Sequence, residues 1–140
     1  MADPRNPTFD AAYVAREESM TGPLLVYAAY LLSIPTGGIS TIIGLILAYV
    51  MKSDAGPAVF SHYAFQIRTF WLGLLAIPLG VLLIVLGVPL LLVGGIGVLP
   101  MIVGGLMAGG VTIWFYVRSI IGLVRAIEGR GYANYRTWLI

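Results

Sequence analysis

One polar interval divides this chain, and it limits the possible folds more than any other feature. Lys52 to Trp71 (KSDAGPAVFSHYAFQIRTFW) is flanked on both sides by long apolar tracts. A fold must give its polar groups partners while its flanks meet apolar surroundings. Pro57 suits the first turn of a helix, where its missing N–H would have no partner. No helix breaker follows until Pro78, so the polar turns run straight into an apolar span. At about 100° per residue, His62, Gln66, Thr69, Gly73, Gly80 and Gly87 fall in one narrow stripe. Polar groups followed by glycines at heptad spacing predict a surface against which another helix packs. His62, Gln66 and Thr69 are then polar interhelix contacts, and Gly73, Gly80 and Gly87 helix-packing positions.

Composition makes the flanking tracts membrane candidates. The chain is 59% hydrophobic and 10% charged, against about 25% charged in ordinary soluble domains. So few charges do not cover so much apolar surface unless lipid or partner subunits do. The formal charge of +2 is too small to indicate nucleic acid. With no cysteine, there is neither a disulfide framework nor thiolate chemistry. The expected fold class is all-α, a polytopic transmembrane bundle of three apolar blocks with the first broken into two half-helices. The expected division is a polar segment over 1–23, a transmembrane domain over 24–128 and a basic, aromatic interfacial tail over 129–140.

The N-terminal stretch is acidic and mixed in charge, unlike a signal peptide, so the first apolar block is expected to be retained as an anchor. FDAAYVAREESM either forms an amphipathic helix, with Phe9, Tyr13 and Val14 toward the bilayer surface and Arg16, Glu17 and Glu18 outward, or is a polar tail. Leu24–Met51 is apolar but holds SIPTGGIS in its middle. A span needs about 20 residues, more than either half supplies. Pro35 and the Gly37–Gly38 pair break the helical ladder, giving either one broken, tilted span or a re-entrant hairpin of two half-helices. Beyond the break, Ser40, Gly44 and Ala48 recur every four residues as a small-residue seam.

Phe70–Val88 forms the next span, kinked at Pro78, and the uncharged run Pro89–Pro100 connects it to Met101–Val117. The last helix is expected to continue to about Ile127 and to end at Gly129. Gly105 and Gly109, with Thr112, Tyr116 and Ser119, form a second packing seam. Arg118 and Arg125 lie roughly opposite it. They either snorkel to the interface or hold anionic lipid head groups, and Glu128, three residues on, is placed to neutralise Arg125. Tyr132, Tyr135 and Trp138 with Arg130 and Arg136 read as interfacial anchors. Lys52, Arg68 and the C-terminal arginines put the central run and the C-terminus on the cytoplasmic side.

Catalytic signals are sparse. His62 and Gln66, one turn apart, either handle a proton or substrate or bond structurally to the broken first block. A lone histidine does not make a metal site. Asp54 and Glu128 are the only acids beyond Glu18, which leaves acid–base catalysis little to work with. The expectation is a non-enzyme without cofactor or small-molecule substrate. Its expected partners are the lipid bilayer and other integral membrane subunits.

The interrupted first block ending YVMKSD, the FSHYAFQ run entering a span, and the close with Gly122, Ala126, Gly129, Tyr132 and Tyr135 carry a likeness. From Leu24 to the C-terminus the chain resembles the small bacterial membrane proteins of unknown function related to the twenty-kilodalton Tic subunit of the chloroplast import translocon. The resemblance implies four helical segments, the first block counting as two, and cytoplasmic ends. The plastid relatives are associated with protein conduction, but no polar stripe here is long enough to line an aqueous path, and the acids common around Ser53–Pro57 are few. The functional expectation is an accessory or scaffold subunit of a larger inner-membrane complex. The alternatives are a small oligomeric transport or translocation component and an anionic-lipid binder.

Overall fold

The computed structural model describes residues 19–132. The expected amphipathic helix around Phe9, Tyr13 and Val14, and the tail residues Tyr135, Arg136 and Trp138, lie outside the described residues. The described chain is all-helical: α1 (Thr21–Leu31), α2 (Ile39–Lys52), α3 (Pro57–Leu91) and α4 (Val98–Ile127). These helices form two compact units. One holds residues 19–68 and 118–132, the other Thr69–Val117.

In the first unit, α1 and α2 fold back on each other as an antiparallel hairpin. Pro23 sits in the first turn of α1, where its lacking N–H costs nothing. Gly22, Pro23, Val26, Tyr27 and Tyr30 make its buried face, the three-to-four-residue recurrence of a helix stripe. On α2 the buried stripe is Thr41, Gly44 and Ala48. A Cβ on Gly44 would lie 3.1 Å from Ala29 and from the Tyr30 ring, while one on Gly22 would meet Tyr63 and lie 2.8 Å from Met51. The two halves thus pack against each other, whereas one broken, tilted span would keep them apart. Ser40 is displaced from the expected seam. Its hydroxyl bonds Thr36 Oγ1 at 2.7 Å, and Thr41 takes its place on the packed side.

α3 begins at Pro57, and the Gly56 carbonyl receives the Phe60 N–H at 2.8 Å. The helix runs unbroken for 35 residues, about 52 Å at 1.5 Å per residue. Pro78 does not end it. Pro78 deprives one carbonyl, that of Leu74, of its donor, and the ladder resumes beyond. Pro89 also lies within the helix, so the expected connector over 89–100 shrinks to 92–97, with Gly94 and Gly95 at positive φ. Pro100 falls in the first turn of α4, where its N–H is not needed.

In the second unit, α3 and α4 pack antiparallel along glycines. Gly73 faces the Phe115 ring, with 3.4 Å available for a Cβ. Gly80 faces Gly104 and Ala108, and Gly87 faces Gly97 and Met101. A Cβ on Gly80 would come to 2.8 Å of both the Ala108 nitrogen and the Gly104 oxygen, so the backbones touch. This corrects the expected seam on α4. Gly105 and Gly109 face outward with nothing within 4 Å of a Cβ, and Gly104 and Ala108 make the contact. Gly104–Ala108 and Gly105–Gly109 are two overlapping four-residue repeats one residue apart, and only the facing position of Gly80 selects between them.

Pro57–Leu91 and Val98–Ile127 are each long and apolar enough to cross a membrane, and in each the most apolar stretch is only 11% buried. Most leucines, isoleucines and valines of these helices are not buried, Leu75 being 69% exposed and Leu106 73%, while Val59 and Ile67 near the start of α3 belong to the core.

Candidate functional site, a buried histidine–tyrosine–arginine centre

Most of the described chain's buried polar side chains lie in the first unit. His62 and Gln66, one turn apart on α3, are both 0% exposed. His62 Nε2 lies 2.8 Å from the Arg130 carbonyl oxygen. A carbonyl only accepts, so Nε2 carries the proton. Nδ1 is 3.1 Å from the Tyr27 hydroxyl, which donates to it when the ring is neutral. A ring held at both nitrogens with no solvent contact has one tautomer and one orientation.

The geometry that brings Arg130 there follows from the end of α4. Gly129 takes φ +69°, the Arg130 N–H bonds the Arg125 carbonyl at 2.9 Å, and the Gly129 N–H bonds Ala126 at 3.1 Å. This six-to-one and five-to-two pair is a Schellman ending, and it turns the chain back toward α3. Tyr132 N–H then donates to Ser61 Oγ at 2.8 Å, whose own proton goes to the Ala58 carbonyl at 2.6 Å. Close approach at Gly131 lets this segment lie on α3, since a Cβ there would be 3.0 Å from Ala58 Cα.

Around His62 the rings interlock. The Tyr27 ring meets it edge-on at 5.9 Å, and Tyr132 does so at 5.2 Å. Tyr132 stacks on Phe65 at 4.1 Å and 16°. The two arginines cap this stack, with the Arg118 guanidinium 3.7 Å from the Phe65 centroid and Arg125 4.6 Å from Tyr132. Seven residues apart on α4, they share a face, and that face turns inward. This overturns the head-group assignment for Arg118, which is 1% exposed. A desolvated cation over a ring contributes about 2 kcal/mol, which offsets part of the cost of burying the Arg118 guanidinium. Glu128 does not neutralise Arg125. It pairs with Arg130 at 3.3 Å, both side chains being exposed. Tyr132, expected as an interfacial anchor, is 6% exposed, and burial raises its phenol above the ordinary tyrosine range.

Gln66 Nε2 donates to the Pro23 carbonyl at 2.9 Å, and the Gln66 backbone carbonyl accepts from Tyr30 Oη at 3.1 Å. Gln66 Oε1 is buried with no partner among the described residues. Thr69 is 1% exposed and belongs to the second unit. Sequence reasoning missed Tyr27 and Tyr30, and it named Gly122 only within the family likeness. The first two lie on the Gly22–Pro23–Val26 stripe of α1, so its periodicity held the signal. Gly122 packs directly against the Tyr27 ring, and the four-residue spacing to buried Ala126 marked that face.

Among the described residues no three His, Cys, Asp or Glu side chains gather as metal ligands. The imidazole is occupied at both nitrogens by α1 and by the segment after α4, so it ties three pieces of chain together. Set against models of known protein families, against curated proteins and against solved structures, the chain matches none.

Proposed function

We propose that this chain is an integral protein of a bacterial inner membrane, in which the helices of residues 69–117 cross the bilayer as a hairpin. On this reading it serves, without catalysis, as an accessory or scaffold subunit of a larger membrane complex. The observation that carries the membrane part is the outward aim of the apolar side chains. A core helix of a soluble protein buries its most apolar stretch, whereas only 11% is buried here in both long helices. No charged residue stands between Arg68 and Arg118, and every charged residue described lies in the first unit. The scaffold part draws on the locked histidine centre, which has no open face for a substrate.

The test has two stages. Alkaline carbonate should leave the full chain in the membrane pellet, and release into the supernatant would overturn the membrane reading. Purification in mild detergent should then retain a stoichiometric membrane partner. A stable, monodisperse monomer free of other protein would overturn the scaffold role.

A further inference from the structure

The α1–α2 hairpin offers a second apolar surface. We infer that it is a re-entrant membrane hairpin, its tip over residues 32–39 lying in the hydrocarbon and both its ends returning to the side from which they came. This rests on the membrane reading above and deepens it. Four observations carry it.

The first is surface. Leu32 is 54% exposed, Ile34 70% and Ile39 64%, and Ile42, Ile43, Ile46 and Val50 continue this face along α2. No charged residue occurs between Glu18 and Lys52. The second is the backbone. Hydrocarbon tolerates irregular chain only where its polar groups are satisfied from within. Here the N–H groups of Leu32, Ser33, Thr36, Gly37, Gly38, Ile39, Thr41 and Ile42 all donate to carbonyls inside the hairpin. The Ser40 N–H donates to Thr36 Oγ1. Gly37 and Gly38, at φ +61° and +89°, make this closure possible by ending the first arm in a Schellman turn, with Gly38 bonding Ser33 at 2.7 Å.

The third observation concerns two hydroxyls, those of Thr36 and Ser40, which bond within the hairpin. Thr36 Oγ1 donates to the Leu32 carbonyl at 2.7 Å and accepts from Ser40 Oγ at 2.7 Å. The fourth is length and polarity gradient. Helices of 11 and 14 residues reach about 16 and 21 Å, short of a hydrocarbon core of about 30 Å. Half-exposed Tyr49 and then Lys52 stand at the base, as aromatic and basic residues do at a bilayer interface. A water-facing loop would show the reverse, with polar groups at its tip and open backbone donors.

The chain lacks cysteine, so single-cysteine variants of the full protein, Ile34→Cys, Ile43→Cys, Asp54→Cys and Leu82→Cys, can be reconstituted in phospholipid vesicles without background. Each is treated with a membrane-impermeant maleimide before and after permeabilisation. Each is also spin-labelled to compare collisions with oxygen and with a water-soluble nickel chelate. Ile34→Cys and Ile43→Cys should react at least about tenfold more slowly than Asp54→Cys from either side, because the reactive thiolate does not form in hydrocarbon. Their spin labels should favour oxygen. Rapid labelling at Ile34→Cys overturns the inference, by a water-exposed hairpin if it comes from the Asp54→Cys side and by a full crossing if from the other. Spin–spin broadening at Ile34→Cys that vanishes on dilution with unlabelled chain overturns it in favour of a second copy. Leu82→Cys separates the two readings. If its label still favours oxygen while Ile34→Cys favours nickel, only the hairpin fails, whereas nickel at both sites sinks the membrane reading itself.

Discussion

At the scale of single residues, His62 and Gln66, two of the buried polar side chains of α3, should differ sharply in their worth. His62 has both nitrogens bonded, to Tyr27 and to the Arg130 carbonyl. Removing it strands the Tyr27 hydroxyl, which is 1% exposed, and opens a cavity among three rings. His62→Ala should therefore lower unfolding free energy by about 3 kcal/mol, measured by thermal or denaturant unfolding in detergent. Gln66 presents the opposite balance. Its Nε2 bonds the Pro23 carbonyl, which keeps its intrahelical donor, and its Oε1 is buried without a described partner. Gln66→Met keeps the volume and removes that unpaired oxygen, so its cost should stay within about 1 kcal/mol. Equal large losses for both would mean that Gln66, too, is fully bonded.

At the scale of elements, helix pairing rests on backbone contact that only glycine permits. A Cβ on Gly104 would strike the Gly80 carbonyl and lie 2.9 Å from Leu83 Cβ, whereas one on Gly105 meets nothing. Gly104→Ala should destabilise the second unit by about 1–3 kcal/mol. Gly105→Ala should be neutral or stabilising by up to about 1 kcal/mol, through helix propensity alone. Unfolding of the two variants side by side checks the register of α3 on α4, and the reverse order would refute it. The helix ends follow the same local logic. Gly129, at φ +69°, closes α4, and Gly37, at φ +61°, closes the turn between α1 and α2, left-handed positions that a side chain would strain.

At the scale of the molecule, charge is partitioned. Lys52, Asp54, Arg68, Arg118, Arg125, Glu128 and Arg130 all belong to the first unit, and Thr69–Val117 carries none. If the second unit crosses the bilayer, the positive-inside bias holds both its ends on the cytoplasmic side. In right-side-out vesicles, Asp54→Cys and Arg130→Cys should resist an impermeant maleimide until permeabilisation. Leu92→Cys, 90% exposed as Leu92 in the turn between α3 and α4, should label at once. Labelling of all three from one face would refute the crossing. The helix lengths agree with this division: α3 at 35 residues exceeds the roughly 20 needed for one crossing, and its surplus is the polar stretch around His62.

The amino-acid sequence by itself determined what is local. Pro57 marked where α3 starts, Gly129 where α4 ends, and the Pro35–Gly38 break where the first block divides. Such signals are steric and need no partner to be read. Composition likewise made the long helices apolar enough for a bilayer. Tertiary structure decided which of several equivalent faces turns inward. Small residues at 104, 105, 108 and 109 offer two registers, and only the approach of Gly80 chooses Gly104 and Ala108. Arg118 reads as a lipid-facing cation until Phe65 and Tyr132 stack beneath the arginine pair. Periodicity sorts residues onto faces of a helix, but the energy of a face depends on what meets it. For the His62 centre those neighbours come from α1, α4 and the segment after it, far apart along the chain and joined only by folding.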